Sequence, residues 1–144
     1  MGFYYDDAGH LNAGLLDTQA QQAAESFVHV RDRRDKLNAN QLRRFYNEFK
    51  NLEKKFSFAK QKYMTEVESP EEASHIAFMQ TSPLIKMVKA KVSYAANPSN
   101  KKIPSVFANW LNTSIDGIQN EKDFEAFLLS FEAVVGYCYG AGIS

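Results

Sequence analysis

Sixteen of the chain's seventeen lysines and arginines fall in two blocks, and these are the side chains best placed to act on another molecule. Residues 31–62 hold eleven of them: Arg31, Arg33, Arg34, Lys36, Arg43, Arg44, Lys50, Lys54, Lys55, Lys60 and Lys62. Four acids share that stretch (Asp32, Asp35, Glu48 and Glu53), leaving an excess of +7. Residues 86–102 hold Lys86, Lys89, Lys91, Lys101 and Lys102 and no acid, an excess of +5. Cations held on one side of a rigid element neutralise a phosphate backbone, so the chemistry expected is nucleic-acid binding without sequence readout. The compensating acids sit at both ends and around Glu66–Glu72, so a chain of zero net charge still presents basic faces. Against this stands the plainer reading that basic helix faces are solubilising surfaces.

Other chemistries find less support. His10, His29 and His75 lie in three separate segments, without the paired spacing of metal ligands. Glu66, Glu68, Glu71 and Glu72 read as a solvated helix start, and Asp123 and Glu125 as first-turn acids of a late helix. Cys138 falls on an apolar stripe, as a core thiol would, and no glycine-rich phosphate loop occurs. The expectation is therefore no catalytic residue, no metal ion and no cofactor: a protein that is not an enzyme.

The elements that must position the cations are helical. No glycine occurs between Leu15 and Asp116, and strand-like alternation is absent. Residues 1–16, with three glycines, read as a loose tail in which Phe3, Tyr4 and Tyr5 can dock, and residues 17–144 as one helical domain. A first helix starts at Asp17 or Thr18 and runs through Ala20, Ala23, Ala24, Phe27 and Val28. Asn38 or Asn40 caps a second. Its apolar residues Leu42, Phe45, Phe49, Leu52, Phe56, Ala59 and Tyr63 alternate in spacings of three and four, a heptad seam that needs a long partner in this chain or another. Phe58 falls on its polar side and marks an interface or a kink.

Pro70, Glu71 and Glu72 open a third helix, which Pro83 is expected to interrupt, with Ser82 capping a fresh start. Ile85, Val88, Val92 and Ala95 form its later stripe, and Tyr94 is read as packed rather than stacked on a base. Asn97-Pro98-Ser99-Asn100 is a break. Pro104 starts a fourth helix carrying Phe107, Trp110, Leu111, Ile115 and Ile118. The last carries Phe124, Phe127, Leu128, Phe131, Val134, Val135 and Cys138 and stops at Gly140. The fold class expected is all-α, a single-domain bundle of five to six helices.

Composition narrows the setting. The 144 residues suit one domain, and 44 % hydrophobic with 13 % aromatic residues argue against disorder. One cysteine rules out a disulfide within the chain and fits a reducing compartment. Asp6 and Asp7 stand where a signal peptide wants a basic start. Met1-Gly2 hints at myristoylation, but Asp6 replaces the Ser or Thr of that motif. No apolar run approaches the ~20 residues of a membrane span, so a cytoplasmic protein is expected.

Four local patterns together resemble one family, the small subunit of type III-A CRISPR effector (Csm) complexes. They are Asn38-Ala39-Asn40-Gln41-Leu42-Arg43-Arg44-Phe45-Tyr46, Lys89-Ala90-Lys91-Val92-Ser93-Tyr94-Ala95, the Phe107, Trp110, Leu111 group ahead of Ile115 and Ile118, and the Phe124-to-Tyr137 run with Phe127, Phe131, Glu132-Ala133 and Val134-Val135-Gly136. The resemblance covers roughly residues 17–142. The chain departs from it at Ala90, where the family often has Pro. It departs also at Asn97, where a basic residue is usual and contact passes to Lys101 and Lys102, and at Asn40, usually Ser or Thr.

The resemblance implies a helical protein without catalytic activity of its own. Copies of it stack along guide RNA and target RNA and touch the large subunit and the backbone subunits, in antiviral defence. The RNA-contacting residues expected are Arg43, Arg44, Lys50, Lys54, Lys86, Lys89, Lys91, Lys101 and Lys102, with Arg43 and Lys91 foremost because they lie in the family-like patterns. The alternative is a docking module that uses the Leu42–Tyr63 seam and binds no nucleic acid. An isolated copy is expected to be capable of forming a homodimer by pairing or exchanging helices about Pro83 or Asn97-Pro98.

Overall fold

The structure, a computed structural model, describes residues 2–30, 32 and 35–144. Arg31, Arg33 and Arg34 of the first basic block, and Met1 of the myristoylation motif, lie outside the described residues. Five α-helices follow one another: α1 (Thr18–Val28), α2 (Ala39–Met64), α3 (Pro70–Ala95), α4 (Ser105–Asp116) and α5 (Glu121–Gly140). Short 3-10 turns at Ala13–Leu16 and Pro98–Asn100 complete the order, and no strand occurs among the described residues. The all-α expectation holds.

Local chemistry fixes the helix starts. Asn38 caps α2 in a reciprocal box with Gln41, Oδ1 accepting from the Gln41 N–H (2.9 Å) and Gln41 Oε1 from the Asn38 N–H (3.0 Å). Ser69 caps α3 ahead of Pro70, and Asn120 caps α5.

The seam of α2 is consumed inside the chain. Leu42, Phe45, Phe49, Leu52 and Phe56 are buried, and α2 packs chiefly against α3 and also against α5. The two long helices run antiparallel: Glu48 meets Lys91 near one end and Tyr63 meets Gln80 near the other. So the seam is not the docking surface the alternative reading needed, nor a seam for pairing with a second copy. Its long partner is α3.

Two further expectations are corrected. Pro83 does not interrupt α3, which is continuous from Pro70 to Ala95. A mid-helix proline removes one N–H and opposes the carbonyl four residues back. Here those residues, Pro83 and Met79, are exposed, where water can serve the freed carbonyl, while Ala77, Phe78, Thr81, Ile85 and Val88 on the other side are buried and hold both halves in line.

The opening segment, read as loose, is anchored. Tyr4 is fully buried and donates its hydroxyl to the Ser114 carbonyl at 2.7 Å, and the Tyr5 hydroxyl reaches the Lys122 carbonyl at 3.2 Å. Phe3 lies over Gly117, where an added Cβ would meet its Cβ and Cγ at 2.8–2.9 Å. Phe3 and Tyr4 therefore dock, and Gly117 leaves the space for it.

The core between the helices is rich in aromatic rings. Phe131 on α5 has Tyr46, Phe49, Phe107, Trp110 and Phe127 within 5.2–6.4 Å, all five edge-to-face at 62–78°. It ties α5 to α2 and α4 and fixes the platform on which the cations stand.

Candidate nucleic-acid interface

Where α2 begins and α3 ends, the antiparallel pair leaves a groove of about 380 Å³. Arg44, Phe45 and Glu48 line it from α2, Ala90, Lys91, Tyr94 and Ala95 from α3, and Lys102 from the segment after α3. The helical period explains the placement. With Phe45 turned to the core, Arg44 and Glu48 share the flank toward α3, one turn apart. With Val88, Val92 and Ala95 turned inward, Lys91 and Tyr94 flank them on the side toward α2.

Backbone hydrogen bonds bring Lys102 in. The N–H groups of Lys102 and Ile103 both donate to the Ala95 carbonyl, at 2.7 and 3.1 Å, folding the chain back over the end of α3. Lys102 Nζ then sits 5.8 Å from the centroid of the Tyr94 ring. Across the groove, the Lys91 ammonium bonds the Glu48 carboxylate. Three cations thus surround one carboxylate and a mostly apolar lining.

Tyr94 corrects the sequence reading. It is 66 % exposed, not packed, because it stands at the open rim of the groove while Val92 and Ala95 beside it are buried. Sequence reasoning also passed over Phe45, which floors the groove, and Glu48. The signals were present: an acid one turn after Arg44 in a basic block, and a tyrosine one turn after Lys91 on the same flank.

The nine cations expected to touch RNA do not share one face. Arg44, Lys91 and Lys102 meet at the groove. Arg43 and Lys54 lie with Phe58 in an outward stripe of α2, and Arg43 Nη2 donates to Asn40 Oδ1 at 3.3 Å. Phe58 is 75 % exposed on an unbroken helix, so it marks a surface, not a kink.

Lys50 points toward α5: it pairs with Glu53 at 2.6 Å and lies 6.0 Å from the Tyr46 ring, which itself packs on Phe131. The bond to Glu53 raises its pKa and keeps the ammonium charged. Lys89 bonds Asp116 on α4, Lys101 bonds Asp35 at 2.7 Å, and Lys86 is exposed on the outer side of α3. Exposed ion pairs of this kind hold about 0–1 kcal/mol, so phosphate can displace them, but each first lowers the local positive potential.

The remaining candidate groups stand apart. Cys138 is buried on α5, where burial pushes its thiol up to about 11, so it is protonated at neutral pH. His10 lies near Asp6 in the opening loop, His29 closes α1, and His75 is on the first turns of α3. Among the described residues no three His, Cys, Asp or Glu side chains gather as metal ligands, and no helix is long and apolar enough to cross a membrane.

Comparison with known proteins bears on this arrangement. A family model described as Csm2 Type III-A matches residues 10–140. No curated protein and no solved structure gives a match.

Proposed function

The chain belongs to the Csm2 Type III-A family, the small subunits of type III-A CRISPR effector (Csm) complexes, and on that premise we propose that it contacts the backbone of guide and target RNA without reading sequence. The observation that carries this is the convergence of Arg44, Lys91 and Lys102 on one groove, from three stretches of chain. Arg43, Lys54 and Lys86, exposed beyond it, extend the positive field along the two helices. Contact with the large subunit, the backbone subunits and further copies falls to exposed apolar side chains on α2 and α3, Phe58 at 75 %, Met79 at 62 % and Met87 at 61 %. Within this reading the chain is not an enzyme: it lines the RNA path in the cytoplasm, in antiviral defence, and target cleavage belongs to another subunit.

The test is a titration of the full chain against a labelled single-stranded RNA of arbitrary sequence at several salt concentrations. Phosphate contact predicts affinity that ignores sequence and falls with salt, by a logarithmic slope of about 0.7 per contact. Absence of binding at low salt, or binding indifferent to salt, overturns the reading in favour of a pure docking module.

A further inference from the structure

We propose that the groove between α2 and α3 holds one unpaired nucleobase against the ring of Tyr94, with the phosphate of the same nucleotide on Arg44 and Lys102. This rests on the RNA-contacting reading and goes further, because a backbone contact alone requires no aromatic surface and no cavity.

Three observations point to an anionic ligand with a flat apolar part. The first is the ring itself. Tyr94 is 66 % exposed, yet it faces a walled groove and already carries a cation, Lys102, 5.8 Å from its centroid. The ring already draws a cation to its π-face, and a base has a π-face of its own that stacks whatever its identity. The second is the lining. Phe45 forms an apolar floor, and alanines at 90 and 95, on either side of Tyr94, leave beside the ring the room that larger side chains would fill. At about 380 Å³ the space lies near the lower end of the ~300–1,000 Å³ of small-molecule pockets, suited to one nucleotide and not to a packed helix of another protein.

The third observation is charge. Arg44, Lys91 and Lys102 surround the opening against the single carboxylate of Glu48. Such a surplus is complementary to a phosphate and repels a basic partner. When the base enters, it takes the ring face that Lys102 covers, and the displaced ammonium moves to the phosphate, so the charge stays paired. On the other side of Tyr94 a partly polar depression, with Ser93, Asn97, Asn109 and Asn112 in its lining, offers hydrogen-bonding groups to the adjoining sugar.

The experiment uses the full chain, since one chain builds the whole groove, and a single-stranded RNA carrying one 2-aminopurine. Stacking on Tyr94 quenches that fluorophore. Wild type and Tyr94→Phe should quench it, and Tyr94→Ala should not. Affinity for the unlabelled strand should fall about 5- to 100-fold in Tyr94→Ala, with an unchanged salt slope, because the ring touches no phosphate. Tyr94 is exposed, so the variant is expected to keep the fold, which circular dichroism checks. If Tyr94→Ala binds and quenches as wild type does, base docking is wrong and the backbone reading stands. If wild type itself binds no RNA at low salt, both fall.

Discussion

Lys91 on α3 and Glu48 on α2 are bonded to each other across the groove, so the cation most prominent in the family-like Lys89–Ala95 pattern is already neutralised by an acid of the other long helix. The pair does two things. It ties the beginning of α2 to the end of α3, and it sets how much positive charge the groove offers a phosphate. Removing the acid's charge while keeping its shape separates these effects. Glu48→Gln should bind single-stranded RNA more tightly than wild type at low salt, with a slope steeper by about 0.7, one contact's worth. Fluorescence anisotropy at four salt concentrations measures both. Unchanged or weaker binding would mean that Lys91 does not face the RNA.

The scatter of the nine cations predicts unequal effects. Charge reversal at Arg44 plus Lys102, which meet at the groove, should weaken RNA binding far more than reversal at Lys50 plus Lys89, which are turned toward α5 and α4. The first pair should also lower the salt slope by about 1.4, two single-strand contacts. Equal effects from both pairs would indicate a diffuse field and no defined groove.

Phe131 concentrates the stability of the bundle. Its ring meets five others drawn from α2, α4 and α5, and it is fully buried. Phe131→Ala should cost about 3–5 kcal/mol, read as a lower urea midpoint. A loss under 1 kcal/mol would show that the core collapses around the gap.

The docked opening segment is tested at Tyr4. Tyr4→Phe keeps the ring and removes the 2.7 Å bond to the Ser114 carbonyl, for an expected loss of about 1 kcal/mol. Gly117→Ala should also destabilise, since its new methyl meets the Phe3 Cβ and Cγ. If both variants melt as wild type does, the segment contributes nothing to the fold in solution.

Alkaline stability follows from Cys138. Its thiol ionises near 9.0 when unfolded but near 11 in the fold, because burial disfavours the thiolate. The unfolded chain therefore releases this proton first. The stabilisation is fully present below pH 9 and is lost as pH rises from about 9 through 11. Burial raises the Tyr4 pKa too, and its contribution is lost as pH rises past 10. The melting temperature should fall across this range, and Cys138→Ala, though less stable at neutral pH, should fall less steeply between 9 and 11.

Much of the fold was legible because it is local. A helix face repeats every 3.6 residues, so the stripes Leu42–Phe56 and Phe124–Cys138 announce themselves, and Asn38 and Pro70 stand at the helix starts expected of them. Pro83 misled for the same local reason. Its preference to break a helix is real, but residues distant in sequence bury both sides of the stripe through it.

The sequence alone determined the all-α class, the two basic blocks and the helix starts other than the one expected at Ser82, since each depends on neighbours close in the chain. Which cations meet depends on how α2 and α3 are rotated about their axes, and on the return of residues 101–103 to the Ala95 carbonyl. Both are set by contacts far apart in the chain. Only the tertiary structure therefore gathered Arg44, Lys91 and Lys102, paired Lys91 with Glu48, buried Tyr4 and left Tyr94 open. A helical period says which residues share a face, and packing against the rest of the chain decides what that face meets.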